Sequence, residues 1–158
     1  MAMNSSKTLF DSAMGGDRRA LAKLLTIAEE GGSTGSYDKK PSWVLGITGP
    51  PGAGKSTLID RLASNWSEKG ESIAILAVDP SSPVSGGALL GDRARMVFSD
   101  PSKIYFRSVS SRGSSGGISN GVRRMVEVLQ SLGWDRILIE TVGAGQGEFA
   151  IASVADRV

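Results

Sequence analysis

The stretch WVLGITGPPGAGKST, residues 43–57, decides the fold of this chain of 158 residues. It begins with a nearly continuous apolar run, Trp43 to Thr48, which is typical of a short strand buried on both faces of a sheet. The turn GPPGAGKST, Gly49 to Thr57, follows at once and matches the pattern G-x-x-x-x-G-K-[ST]. A helix is predicted from about Ser56 to Lys69, so the motif lies between a strand and a helix, as the pattern requires.

This turn is predicted to bind phosphate groups. Its glycines let the backbone curl so that successive N–H groups point at phosphate oxygens, and the helix N-terminus adds a favourable dipole. Lys55 would reach the β- and γ-phosphates, and the hydroxyl of Ser56 would ligate Mg²⁺. The alternative, an accidental glycine turn, is disfavoured by the strand–turn–helix setting. The residues assigned to nucleotide binding here are Gly49, Pro50, Pro51, Gly52, Ala53, Gly54, Lys55, Ser56 and Thr57.

Strands and helices alternate on both sides of this motif. Further strands are predicted at 72–79, 103–109 and 135–141, and further helices at 17–30, where Asp17 is the expected cap, and at 120–133. The pattern predicts an α/β fold with a doubly wound, mainly parallel sheet of the P-loop NTPase type. The residues expected on the inner faces of the three helices are Leu21, Leu24, Leu25 and Ala28; Leu58, Leu62 and Trp66; and Val122, Met125, Val126 and Leu129.

Composition excludes several function classes. The formal net charge is only +2 and the charged residues are interspersed, so neither nucleic acid nor a membrane surface is indicated as a partner. The chain has no cysteine and no histidine, which excludes disulfides, Ser-His-Asp triads and histidine general bases. We see no signal-peptide core, no transit peptide and no apolar run of the ~18 residues that a membrane span needs. A cytoplasmic protein is expected, or one of the mitochondrial matrix if the source is eukaryotic.

Acidic residues at strand ends are the candidate Mg²⁺ ligands, because ligands bind beyond the carboxyl ends of the strands in such a sheet. Glu140 lies near the end of the last predicted strand, one residue before Thr141, and in the sequence ETVG the Gly143 amide would meet the γ-phosphate; an ordinary strand-end turn is the alternative. Asp79 ends the second strand and would bind Mg²⁺ through water or orient the attacking water, unless it is only an Asp-Pro turn former. Asp92 is either a helix cap or a ligand of Mg²⁺ or water. The predicted catalytic set is Lys55, Asp79 and Asp92, and the predicted metal ligands are Ser56, Asp79, Asp92 and Glu140.

Two polar loops complete the predicted site. DPSSPVSGGALLGDRARM, residues 79–96, combines turn formers with charged residues and is predicted to sense the nucleotide. RSVSSRGSSGG, residues 107–117, carries Arg107 and Arg112, which would meet phosphates or a partner, or belong to a solvated loop. Three tryptophans, Trp43, Trp66 and Trp134, are expected to pack in the core or at its edge.

These stretches together resemble one family, the P-loop GTPases that act as chaperones for cobalamin-dependent methylmalonyl-CoA mutase. Older labels call its members transport-system kinases for lysine, arginine and ornithine. The matching stretches are GDRRALAKLLTIAE, GITGPPGAGKST, DPSSPVSGGALLGDRARM, SRG with the glycines 116–117, and ETVGAGQGE. Residues 79–96 are the most specific of these, because generic P-loop proteins lack such a block. Ser110 and Ser115 depart from the family's usual proline and leucine, and Gly147 from its usual serine.

The resemblance implies Mg²⁺-dependent hydrolysis of GTP to GDP, with residues 79–96 as a first switch and 140–148 as a second. It also implies a homodimer in the full-length family and a role in delivering adenosylcobalamin to the mutase. We expect residues 1–42 to be a helical segment with a linker and residues 43–158 to be the N-terminal part of the family's G domain. The chain has no N-K-x-D motif to read guanine, so the domain is expected to be incomplete at its C-terminus. An ATP-dependent small-molecule kinase and a nucleotide-binding fragment with little turnover remain alternatives.

Overall fold

The computed structural model describes residues 2–35, 37–79, 100–110, 117–141 and 151–158. The helices are α1 (Ala2–Met14), α2 (Arg18–Glu29), α3 (Lys55–Glu68) and α4 (Gly117–Ser131). The strands are β1 (Trp43–Ile47), β2 (Ile73–Asp79), β3 (Ile104–Ser110) and β4 (Arg136–Thr141). All four predicted strands and all three predicted helices are confirmed, with ends shifted by no more than three residues.

The four strands form one parallel sheet in the order β1-β4-β2-β3. Helix α3 packs on one face, where Ile59 and Ala63 meet Ile75 and Leu138. Helices α1, α2 and α4 pack on the other face and share a larger core with the remaining strand residues. The predicted α/β architecture with a parallel sheet covered on both faces is confirmed.

The predicted inner faces of α2 and α4 are confirmed, since all eight of those residues are buried. The prediction for Leu58 on α3 is wrong, because that side chain is 50% exposed. Ile59 and Ala63 form the centre of the buried stripe, and Leu62 and Trp66 pack only at its margin. Leu58 lies one helical turn before Leu62 and so shares its side of the helix. Because Leu62 is already at the margin of the buried stripe, Leu58 lies on the solvent side.

Helix α1 was not predicted as a separate helix, because its apolar residues at 2 and 3 are cut off from those at 9, 10, 13 and 14 by the polar run 4–8. It is fixed by Phe10, whose ring stacks on that of Tyr37 at 3.5 Å between centroids, with 7° between the planes. Tyr37 belongs to residues 31–42, which follow α2 and have no regular structure among those described, but which lie against the domain. The backbone N–H of Lys40, for example, donates to the carbonyl of Gln130 at 3.1 Å.

The last described residues pair with the outer edge of β1. The Val44 N–H donates to Asp156 Oδ2 at 2.8 Å, and the Gly46 N–H donates to the carbonyl of Arg157 at 2.7 Å. A parallel bridge joins Leu45 to Arg157, so both edges of β1 are hydrogen-bonded. Within the described ranges, no helix is long and apolar enough to cross a membrane.

Candidate functional site

The glycine-rich turn follows β1 and enters α3 through three glycines in unusual conformations. Gly49, Gly52 and Gly54 have φ angles of 146°, 77° and 84°, a region that side chains rarely adopt. Gly54 is the N-cap of α3 and has a left-handed conformation with no side-chain cap. An added Cβ at Gly52 or Gly54 would meet nothing within 4 Å, so backbone conformation rather than crowding requires glycine there.

Lys55 lies against the carbonyl groups of this turn. Its Nζ donates to the carbonyl of Gly49 at 2.7 Å and to that of Pro50 at 2.8 Å. An added Cβ on Gly49 would lie 3.7 Å from Lys55 Cδ, so the side chain runs close beside the turn. The positive charge is therefore placed at the turn itself, where a phosphate group would need it.

Ser56 and Glu140 lie at the same edge of the sheet as the turn. Ser56 is exposed in the first turn of α3. Glu140 is only 4% exposed and pairs in register with Ile47 of β1 on one side and Ala77 of β2 on the other. Because side chains alternate along a strand, Glu140 points to the sheet face that α3 covers, like Leu138.

A threonine pair at this edge was missed by the sequence analysis. Thr141 is 1% exposed, and its hydroxyl donates to the hydroxyl of Thr48 at 3.2 Å. The bond ties the end of β4 to the residue between β1 and the turn. Its only sequence signal is a hydroxyl residue directly after the strand-end acid, which is too common to be diagnostic.

Part of the predicted site lies outside the described residues. These include Asp92, Gly143 and Arg112, together with most of the stretches 79–96 and 140–148. Asp79 is the last residue of β2, and its backbone pairs with that of Ser110. The described part of the chain contains no group of three or more acidic side chains that could hold a metal ion.

Arg107 does not serve the phosphate site. Its guanidinium turns to α2, where it donates to the carbonyl of Ala22 at 3.1 Å, to Thr26 Oγ1 at 3.1 Å and to Glu29 Oε2 at 2.7 Å. Its side chain is 16% exposed and that of Glu29 is 22% exposed. The packing of β3 on α2, rather than a phosphate group, explains this arginine.

The other structural assignments are confirmed. Asp17 caps α2 by accepting hydrogen bonds from the backbone N–H groups of Ala20 and Arg19. The bond from Ala20, followed by those from Ser12 and Arg19, lowers the pKa of Asp17 below its usual value.

The tryptophans pack as predicted. Trp43 and Trp66 meet edge to face at 5.8 Å, and Trp134 packs near Tyr105. The guanidinium of Arg136 lies over both rings of the first pair, 5.4 Å from the centre of Trp43 and 5.3 Å from that of Trp66.

Comparison with known proteins shows that the chain is similar to proteins named as GTPases. The family model described as "Methylmalonyl Co-A mutase-associated GTPase MeaB" matches residues 12–158. A Pyrococcus horikoshii protein named "Putative GTPase PH0274" is 45% identical over 152 residues, covering 90% of this chain and 48% of the relative. The mouse protein named "Methylmalonic aciduria type A homolog, mitochondrial" is 45% identical over 113 residues, covering 71% of this chain and 27% of the relative.

Solved structures support the same fold. The structure described as that of the LAO/AO transport system kinase has a TM-score of 0.68 and 26% identity, covering 97% of this chain and 48% of that one. FtsY from Mycoplasma mycoides has a TM-score of 0.51 and 16% identity, covering 85% and 43%, and this likeness concerns the fold alone. The chain spans about half the length, or less, of the curated relatives described above.

Proposed function

Because the chain belongs to the methylmalonyl-CoA mutase-associated GTPase family, we propose that it is the nucleotide-binding portion of a Mg²⁺-dependent, GTP-hydrolysing switch protein. The observation that carries the proposal is the turn between β1 and α3, with Lys55 Nζ within 2.8 Å of two of its carbonyl oxygens. A strand, such a turn and a helix N-terminus together form the phosphate site of P-loop proteins. The buried Glu140 on the neighbouring strand adds an acid at the same edge.

The residues of the turn fit a bound nucleoside triphosphate. Residues 51–54 of the turn are exposed, so phosphate oxygens can approach the backbone there. Lys55 would bind the β- and γ-phosphates. Ser56 would hold Mg²⁺ directly, and Glu140 would hold it through water. Bound Mg²⁺ would supply positive charge to the β- and γ-phosphate oxygens.

Further roles follow from the sequence pattern. Asp79 stands at the end of β2 and would orient the attacking water or a water of the metal shell. Asp92 is proposed as a second ligand of this kind, within the first switch. The backbone N–H of Gly143 is proposed to bind the γ-phosphate. Together these residues would make the loops after β2 and β4 respond to the presence of the γ-phosphate.

We propose that the protein partner is a cobalamin-dependent acyl-CoA mutase, for which the switch acts as a chaperone. The description of the family names methylmalonyl-CoA mutase, which supports this assignment. We also propose, from the resemblance to the family, a homodimer for the whole protein and a cytoplasmic location; the mouse relative is named mitochondrial. An increase in GTP hydrolysis on addition of purified methylmalonyl-CoA mutase would support the partner, and an unchanged rate would reject it.

The nucleotide site is tested by titration calorimetry with Mg²⁺–GTP. Lys55→Ala should abolish binding, because it removes the charge that faces the phosphates. Lys39→Ala is the matched control, since Lys39 is an exposed lysine that pairs with Glu127 away from the turn. Unchanged affinity in Lys55→Ala would overturn the assignment of the turn, and equal losses in both variants would indicate a nonspecific charge effect.

A second candidate function is an ATP-dependent kinase of a small molecule. It is favoured by one observation, the likeness to the structure named as a transport system kinase. Competition between GTP and ATP for the same site separates the two functions. A preference for ATP together with a phosphorylated small acceptor would support the kinase.

A further inference from the structure

Strand β3 is bound to helix α2 by hydrogen bonds of two arginine side chains. At the start of the strand, the Arg18 guanidinium donates to the carbonyls of Ile104 and Ser102, both at 2.7 Å, and to that of Pro101 at 3.0 Å. In the middle of the strand, Arg107 donates to three acceptors on α2, among them Glu29. In the described sheet β3 pairs only with β2, so α2 supplies a second set of constraints on its position.

Glu29 joins two elements at once. Its carboxylate accepts from Arg107 of β3 at 2.7 Å, while its own carbonyl accepts from Arg124 of α4 at 3.3 Å. Arg124 also donates from Nε to the carbonyl of Ala28 at 2.7 Å. An added Cβ on Gly121 would lie 3.3 Å from the Glu29 carbonyl oxygen, so α4 approaches the end of α2 closely. The C-terminal end of α2 therefore fixes β3 and α4 relative to each other.

The contact is linked to the phosphate edge of the sheet through the second half of β3. Arg107 is three residues before Ser110, the end of β3, and Ser110 pairs with Asp79 at the end of β2. Arg107 and Glu29 are mostly buried, and Arg107 Nε is buried without a hydrogen-bond partner. Burial strengthens a charged hydrogen bond and makes its loss costly, so the position of the guanidinium depends on Glu29.

We propose that Glu29 is a positioning residue for hydrolysis. Through Arg107 it holds the end of β3, and with it the neighbouring Asp79, at the phosphate edge. The inference rests on the proposed GTPase function. Loss of Glu29 should slow turnover while leaving nucleotide affinity in place, because Lys55 and its turn belong to β1 and α3. Displacements of about 1 Å far from the chemistry can cost up to about a hundredfold in rate.

The test uses Glu29→Ala and the milder Glu29→Gln in the intact chain, with Glu127→Gln as control. Glu127 also pairs with a cation, Lys39, but that pair is exposed and lies away from β3. We expect kcat for GTP to fall about tenfold or more in Glu29→Ala with KM changed by less than about twofold, and an intermediate fall in Glu29→Gln. Arg107→Lys keeps the charge but loses the forked hydrogen bonds, so it should also lower kcat while leaving KM nearly unchanged. The control should match the wild type.

Amide hydrogen exchange supplies a readout that is independent of hydrolysis. In both Glu29 variants, exchange should become faster at 107–110 and 76–79 and remain unchanged at 43–47 in β1. Unchanged exchange at the first two segments would overturn the inference, and so would a loss of GTP affinity in parallel with turnover. A wild-type chain that binds no GTP would instead refute the proposed function, while the exchange result would still decide whether Glu29 positions β3.

Discussion

Replacing Gly46 by alanine should destabilise the chain through one identifiable clash. An added Cβ at this position in β1 would lie 2.3 Å from Ile151 Cγ2, 3.1 Å from Val158 Cγ2 and 3.4 Å from Ala155 Cβ. Ile151 is 2% exposed and cannot turn away freely. Overpacking of this kind costs about 1–3 kcal/mol. For a chain of this size a loss of about 2 kcal/mol lowers the melting temperature by about 4–8 °C.

A double-mutant cycle attributes the loss to that contact. Ile151→Ala alone should cost about 2–5 kcal/mol because it opens a cavity. In the double variant the new methyl group occupies part of that cavity, so the loss should be about 1–2 kcal/mol smaller than the sum of the single losses. Gly15→Ala is the control, since its added Cβ meets nothing nearer than 3.4 Å. The reasoning fails if Gly46→Ala melts like the wild type or if the two losses simply add.

Two further predictions concern the opposite ends of the sheet. The hydrogen bond from Arg136 lowers the pKa of Glu71 below its usual 4.5, so the stability it adds is present above that pH and lost as the pH falls through the lowered pKa. The melting temperature of Glu71→Gln should therefore lie below that of the wild type at about pH 7, and the difference should shrink as the pH falls below the usual pKa of this carboxyl group; a constant difference would contradict this. Gly54→Ala should weaken Mg²⁺–GTP binding about tenfold, because φ is 84° at the N-cap of α3 and alanine costs about 1–2 kcal/mol there. Calorimetry checks this, and an unchanged affinity would show that alanine adopts the same backbone.

The sequence predicted those features that depend on local patterns. The strands are short apolar runs, and the turn between β1 and α3 is defined by glycines whose conformations other residues rarely adopt. Lys55 and Glu140 could be located because the motif and the strand end fix their place in a parallel sheet. The inner faces of α2 and α4 followed from helical periodicity.

Features that depend on contacts between distant residues were not predicted. The apolar residues of α1 are interrupted by the polar run 4–8, and Phe10 meets its partner Tyr37 only in the folded chain. From the sequence, Arg107 could contact either a phosphate group or a neighbouring helix. Only the packing of β3 on α2 shows that it binds Glu29 of the helix. Nothing in the sequence around Gly46 indicates that it packs against Ile151, which lies more than a hundred residues away. Such pairings carry no local periodicity.

The strand order has a consequence for how the chain folds as it is synthesised. Strand β4 lies between β1 and β2, although it is the last of the four to leave the ribosome. Until residue 141 has emerged, none of the other described strands can pair with β1, the strand from which the glycine-rich turn extends. Non-local parallel pairing of this kind forms slowly and leaves apolar strands open to wrong partners in the meantime. The phosphate turn is therefore synthesised early, but the sheet beside it is completed only when β4 has been synthesised.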